Sequence, residues 1–384
     1  MFKKEEKLIE FLKNNYLIIG YSFVTIFALL IRYSALSFKS RDFVVFLEPW
    51  FNFLKENGGL LALKDYIGNY NVPYMTILAI LTYLPFNALY MIKIVSILFD
   101  FGLALSSAFL VKEIVKSNKE LYFFVTYAFI LFLPQVIMNS SVWGQCDSGY
   151  TMFAVLALLF LIKEKYITSF IMLGVSFALK LQFIFIIPIF IVYYVVNKKY
   201  SIFYFLIIPI VNLIMCLPGI IAGMSIIDVM AIYSNQVGVY ENSISLNFLN
   251  IYGLITGDGL ILYKGAVYFT LFICFMMLIY IVYKKVKLDN KKILSLTFWF
   301  IVIVTFFLPC MHERYLYLGE IIGVLYFIIY RENLSIVLSV VLVSIITYFS
   351  YLFGINTSYN GLLIIGYLVV IIYFTRDVMV KLTI

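Results

Sequence analysis

Long, uninterrupted apolar runs, broken by short charged segments, restrict this sequence more than any other feature. Twelve runs fall near 17–35, 88–110, 121–138, 149–162, 167–179, 182–196, 202–221, 261–283, 293–309, 315–330, 334–352 and 361–374. A helix that crosses a bilayer needs about 20 apolar residues. The runs lack the two-residue alternation of a transmembrane β-strand. Composition agrees: 64% of residues are hydrophobic and 12% charged, half of the roughly 25% typical of soluble domains. A water-soluble enzyme, a secreted domain and a disordered chain are thereby excluded. The expected class is an all-α polytopic membrane protein of about 12 helices, forming one domain over residues 1–384. The runs 149–162, 167–179 and 182–196 are short and must extend into their neighbours. A thirteenth piece, 73–86, carries Pro73 and Pro85 and reads as dipping into the membrane without crossing it.

The connecting segments alternate in charge. Lys3, Lys4, Lys7 and Lys13 precede the first run, and every second connection thereafter is basic: Lys112, Lys116 and Lys119; Lys163 and Lys165; Lys198 and Lys199; the cluster from Lys284 to Lys292; Arg331; then Arg376 and Lys381. Basic loops stay cytoplasmic, so both termini are expected inside, as an even number of crossings requires. The first run has no small-residue cleavage site and reads as a retained anchor. The net charge of +8 is explained by orientation and calls for no nucleic acid. The richness in Ile, Lys, Asn and Tyr suggests an AT-rich genome, and a bacterial source is expected.

The other set of connections, expected to be extracytoplasmic, gathers the unusual residues. The first, 36–87, holds Asp42 and then a stretch over 43–57 that reads as an interfacial amphipathic helix, with Phe46, Trp50, Phe53 and Leu54 on the apolar face. The next is Trp143-Gly144-Gln145-Cys146-Asp147. Lys180 and Gln182 form a third. A longer loop, 222–260, holds Tyr240, Glu241, Asn242, Asn247 and Asn250. The last contains His312, the sole histidine, followed by Glu313 and Arg314. Singly, each has a plain reading: Asp42 a solvated acid, Trp50 and Trp143 belt aromatics, His312 a helix-end residue, Glu313 and Arg314 each other's partners. Lys93, Asp100 and Lys180 lie within or at the edge of apolar runs, where a charge must be paired or face water. Lys93 and Asp100 share a helix face two turns apart without touching. Asp100 is either catalytic or, as is usual for such residues, paired between helices. Cys146 and Cys310 read as small buried residues rather than a disulfide.

Taken together, these groups suggest one wet cavity opening outward. Asp42 supplies a carboxylate for proton removal; Arg314, with Lys180 and His312, supplies cations for a phosphate. The set suits transfer of a group from a phosphate leaving group to a hydroxyl. The sequence contains no P-loop or Rossmann glycine pattern, so a lipid-linked donor is favoured over a nucleotide.

On three features the chain resembles the GT-C superfamily of integral-membrane glycosyltransferases, in particular bacterial relatives of the GPI mannosyltransferase II group and the dolichyl-phosphate-glucose-dependent glucosyltransferases. They are Arg32 in the first run followed by Asp42 in a long first loop, the Trp143-Gly144-Gln145-Cys146-Asp147 stretch, and His312-Glu313-Arg314 before a late run. The resemblance implies a hexose transferred with inversion from a polyprenyl-phosphate sugar to a hydroxyl of a glycan, glycolipid or protein, on the extracytoplasmic side of the cell membrane. It makes Asp42 the general base, places His312, Arg314 and Lys180 at the donor phosphate, and places Asp147, Gln145, Trp143 and Glu313 at the sugar or acceptor. Many members have two adjacent acids in the first loop; here Arg41 and Phe43 flank Asp42, so no metal or other cofactor is expected. A transporter or flippase, or a polymerase or ligase of lipid-linked glycans, would draw on similar groups. The lack of a visible repeat and the location of the polar residues at the ends of the runs favour an enzyme.

Overall fold

The computed structural model describes residues 3–65, 67–238, 244–255, 259–355 and 360–383, and among these every regular element is helical. Tyr240, Glu241 and Asn242 lie outside the described residues. Six helices are long and apolar enough to cross a membrane: α1 (Lys3–Ser34), α4 (Ala88–Ile114), α13 (Gly259–Tyr283, apolar over Leu262–Tyr283), α14 (Asn290–Phe307), α16 (Leu334–Phe353) and α17 (Asn360–Thr383). A seventh is reached if α5 (Lys119–Phe132) and the segment Pro134–Trp143, bent by 55° from it, count as one. The bend has a local cause: Pro134 opens the second piece, α6 (Pro134–Ile137), and holds Leu133 in extended backbone.

The remaining runs form shorter helices. These are α7 (Asp147–Ile162), α8 (Tyr166–Leu179), α9 (Ile187–Asn197), α10 (Ile207–Met215), α11 (Leu217–Ala222) and α15 (Tyr317–Tyr330). Tight 3-10 turns over Leu181–Ile186 and Ile202–Leu206 lead into α9 and α10. The piece expected to dip is α3 (Val72–Leu81). Its ten residues rise about 15 Å, half of a hydrocarbon core. It is capped by the Asn71 side chain and buries Val72, Tyr74, Met75, Leu78 and Ala79 against protein.

Burial separates core from periphery. α14 is apolar on every side and buried along most of its length, as a helix surrounded by others must be. α1 fully buries only Val24, Ala28 and Arg32 and presents most of its surface outward. The ends of the helices sort by chemistry. α4 runs from Lys93 to Lys112, α7 from Asp147 to Lys163, α8 to Lys180, α14 from Lys291 towards His312, and α17 ends beside Lys381. One end of the bundle therefore collects lysines, many paired: Lys163 with Glu113, and both Lys291 and Lys381 with Glu332. The first half of α1 and the end of α17 face that way too. Tyr21 of α1 packs on Phe123 and Phe124 at the start of α5, and Lys292 reaches the Leu382 carbonyl. The opposite end carries the polar residues singled out above.

The amphipathic stretch after Asp42 differs from expectation. It is a wide π-type turn over Phe43–Leu47 followed by α2 (Glu48–Glu56). The wider turn adds about one residue per revolution and shifts the stripe. Phe43, Leu47, Trp50, Phe51 and Leu54 are buried, while Phe46 is turned outward and Phe53 only partly covered.

Candidate functional site

Asp42 is set by its neighbours before its carboxylate meets anything. Ser40 accepts from the Phe43 amide and donates to the Trp143 carbonyl at 2.7 Å, tying the first loop to a second π-type turn, Met138–Trp143. The Lys93 ammonium donates to the carbonyls of Ala35, Leu36 and Phe38 and fixes the chain that leads in. Gly144 ends the second turn at φ +84°, a left-handed conformation that glycine adopts without strain. It redirects the chain so that Gln145 comes level with Asp42. π-type turns gather at functional sites in proteins generally, and both of these flank the same carboxylate.

That carboxylate is 6% exposed and well supplied with donors. Trp143 Nε1 and Gln145 Nε2 donate to Oδ2 at 2.9 and 3.0 Å, and Tyr351 Oη donates to Oδ1 at 2.5 Å. Tyr70 in turn donates to the Gln145 side-chain oxygen. A carboxylate has about four lone-pair sites, so about one remains for a further donor. Neither Asp42 nor Trp143 has its plain reading: the acid is not solvated, and the indole is fully buried, stacked on Tyr351 with the Arg314 guanidinium 5.3 Å from its ring.

Arg314 stands among three acids. Nη1 donates to Glu313 Oε1 at 3.1 Å, whereas Asp42 and Asp147 stand farther off at 3.6 and 3.7 Å. Asp147, in the first turn of α7, accepts from Asn139 at 2.7 Å and pairs with Lys180. A carboxylate is favoured at that helix N-terminus. Lys180 reaches it because the chain turns extended there, ending α8. His312 Nδ1 lies 3.8 Å from Glu313 Oε2, and Asn247 donates to the same oxygen. Burial pushes the Glu313 carboxyl up, but His312 and Arg314 outweigh it and hold it below the usual carboxylate range. Cys146 is a thiol, as are the other cysteines; burial pushes it up to about 12, which removes it as a nucleophile at neutral pH.

A cavity of about 130 Å³ opens among these groups, and Asp42, Gln145, Lys180, His312 and Arg314 all line it, with Trp50, Tyr70 and Tyr351. Trp143, Asp147 and Glu313 do not line it; they stand behind the wall, each bonded to or packed on a group that does. Asp100 is elsewhere. It is fully buried, paired with Arg32 at 2.9 Å, and accepts from Ser140 and Ser148. Of its two readings, the paired one holds, and Lys93 does not touch it. Sequence reasoning missed Tyr351 and Tyr70: in a chain with 32 tyrosines neither had a distinguishing signal.

Two other spaces adjoin the cavity. An apolar groove of about 280 Å³, walled by Ile184, Phe185, Val267 and Met311, shares Gln182, Gln236 and Tyr315 with it. A polar cleft of about 510 Å³, walled by Lys64, Asp65, Asp228 and Asn235, shares Asn69 and Gln236. Among the described residues no three His, Cys, Asp or Glu side chains converge as a set that could hold a metal ion. No protein-family model matches the chain, and no curated protein shows significant similarity to it.

Proposed function

We propose that the protein is a GT-C-like glycosyltransferase that moves a hexose from a polyprenyl-phosphate sugar to an acceptor hydroxyl. One observation carries the reading: a carboxylate and three cationic or potentially cationic side chains, drawn from distant parts of the chain, line one polar cavity that shares wall residues with an apolar groove. An amphiphile with an anionic head and a hydrocarbon tail suits that pair of spaces.

In this reading the phosphate lies against Arg314, Lys180 and His312, which stabilise the charge that develops as it leaves. Asp42 uses its remaining lone pair to take the proton of the acceptor hydroxyl. The acceptor oxygen bonds to the anomeric carbon, the bond from that carbon to the phosphate oxygen breaks, and configuration inverts. The proton ends on Asp42, and polyprenyl phosphate departs. Trp143, Gln145 and Tyr351 orient Asp42; Asp147 and Glu313 orient Lys180 and Arg314. The finer topology belongs to the same proposal: about twelve crossings, formed when the shorter helices join the six long ones, with the lysine-rich end cytoplasmic and the cavity extracytoplasmic.

The test is transfer of radiolabelled hexose by purified protein in nanodiscs from polyprenyl-phosphate sugars to envelope glycan fractions. Asp42→Asn is expected to abolish transfer while leaving donor binding within about threefold, since it keeps an acceptor for Trp143. Full activity in Asp42→Asn would remove the base assignment. Movement of an intact lipid-linked sugar between leaflets, without transfer, would replace the enzyme by a flippase.

A further inference from the structure

Another cavity lies apart from this site. It is a groove of about 690 Å³ between α13, α14 and α17, with apolar walls from Ile273, Ile303, Phe307, Leu368 and Ile372. Two polar contacts brace it: Tyr280 donates to the Met379 carbonyl at 3.2 Å, and Trp299 donates to Thr375 at 2.9 Å. Lys284 and Arg376 line it as well, at the lysine-rich end of the bundle. Among the described residues neither has a carboxylate within 4.0 Å, although Lys291 and Lys381 nearby are both paired with Glu332. Asp377, next to Arg376, is held by Lys381 at 2.7 Å and by Asn333.

We infer that this groove binds an anionic phospholipid of the leaflet that meets the lysine-rich end, with its phosphate between Lys284 and Arg376 and an acyl chain along the apolar walls. Charge argues for the head: two unpaired cations at the mouth of an otherwise apolar space suit an anion that carries its own hydrocarbon. Length argues for the tail. From Lys284 to Ile273 is eleven residues of helix, or about 16 Å, close to the half-thickness of a hydrocarbon core of about 30 Å. Basic pockets between helices at this level hold anionic lipid heads in other membrane proteins. The groove stands whether or not the glycosyl-transfer reading does, since it shares no residue with that cavity.

The probes are phosphatidylglycerol and phosphatidylethanolamine of matched chains, titrated into the detergent-purified full chain and read by native mass spectrometry. Phosphatidylglycerol is expected to be retained preferentially. Lys284→Gln with Arg376→Gln should weaken it by roughly thirtyfold, from about fivefold per charge. Lys285→Gln with Lys287→Gln, which removes equal charge outside the groove, should leave retention unchanged. Leu368→Trp, which narrows the groove and keeps both cations, should also weaken retention. Equal retention of the two lipids, or equal loss in both charge variants, would overturn the inference. Displacement of phosphatidylglycerol by equimolar undecaprenyl phosphate would overturn the phospholipid assignment in favour of a polyprenyl chain.

Discussion

Substituting Asp100 by Asn tests the buried electrostatics on which the site's frame rests. The Arg32–Asp100 pair is sealed from solvent, with side chains 1% and 0% exposed. Arg32 has two further acceptors, the Ala28 and Leu131 carbonyls, and among the described residues no other carboxylate within 4.0 Å. Asp100→Asn keeps shape and one acceptor for Ser140 or Ser148 but leaves the guanidinium without its counter-charge. Breaking a buried pair on one side costs about 3–5 kcal/mol, and the retained acceptor places this case near the lower end. At about 1.4 kcal/mol per tenfold, the ratio of folded to unfolded protein falls on the order of a hundredfold. Arg32→Met combined with Asp100→Asn removes both charges and leaves only neutral groups to be satisfied, a cost of about 1–2 kcal/mol. The coupling in the four-protein cycle is therefore at least about 2 kcal/mol. Equilibrium unfolding by SDS in mixed micelles, followed by circular dichroism, measures it. Asp100→Asn within 1 kcal/mol of the parent, or a double variant as destabilised as the sum of the singles, would refute the reasoning.

Further outcomes follow from particular contacts. Gly144→Ala forces a Cβ into φ +84°, which costs about 1–2 kcal/mol, while Gly144→Asn costs less; the same unfolding assay ranks them, and equal stability of all three would argue against the left-handed turn. Glu313 is held below its ordinary value of 4.5. Its contribution to stability is present above that pH and is lost as pH falls through the lower folded value. The thermal midpoint should therefore fall on acidification below about 4.5, and the slope should be shallower in Glu313→Gln; parallel curves would contradict this. Tyr351→Phe removes one donor to Asp42 at about 1 kcal/mol of stability and should reduce transfer more than donor affinity, read as a kcat change with KM little altered.

The sequence revealed polar residues where contrast was high. Asp42, Gln145, Lys180, His312 and Arg314 stand out in a chain only 12% charged, and they meet around one cavity. Depth was not legible. Trp143, Asp147 and Glu313 adjoin the same residues in sequence, yet they sit behind the wall because helix starts and turns, not proximity along the chain, decide which side chain faces the space. Tyr70 and Tyr351 were hidden by the abundance of tyrosine. The apolar stripe after Asp42 was read at Phe46, Trp50, Phe53 and Leu54, whereas the buried side chains are Phe43, Leu47, Trp50, Phe51 and Leu54, because a 3.6-residue period cannot anticipate the wider turn before α2. The apolar runs did locate the helices, but the run 121–138 passes unbroken through Pro134, where the structure bends by 55°, and run lengths alone leave the shorter helices below a full crossing.

The central claim is that this cavity holds a sugar on a polyprenyl phosphate. Its most direct test is thermal stabilisation of the purified chain in nanodiscs by a panel of undecaprenyl-phosphate sugars, with free undecaprenyl phosphate as reference. A ligand that binds only the folded state raises the midpoint by mass action, the more so the higher its concentration relative to Kd. The account predicts a rise selective for one sugar and lost in Arg314→Ala, with a folded Arg314→Lys variant retaining part of it. No shift with any sugar, in protein that unfolds cooperatively, or a shift unchanged in Arg314→Ala, would contradict it.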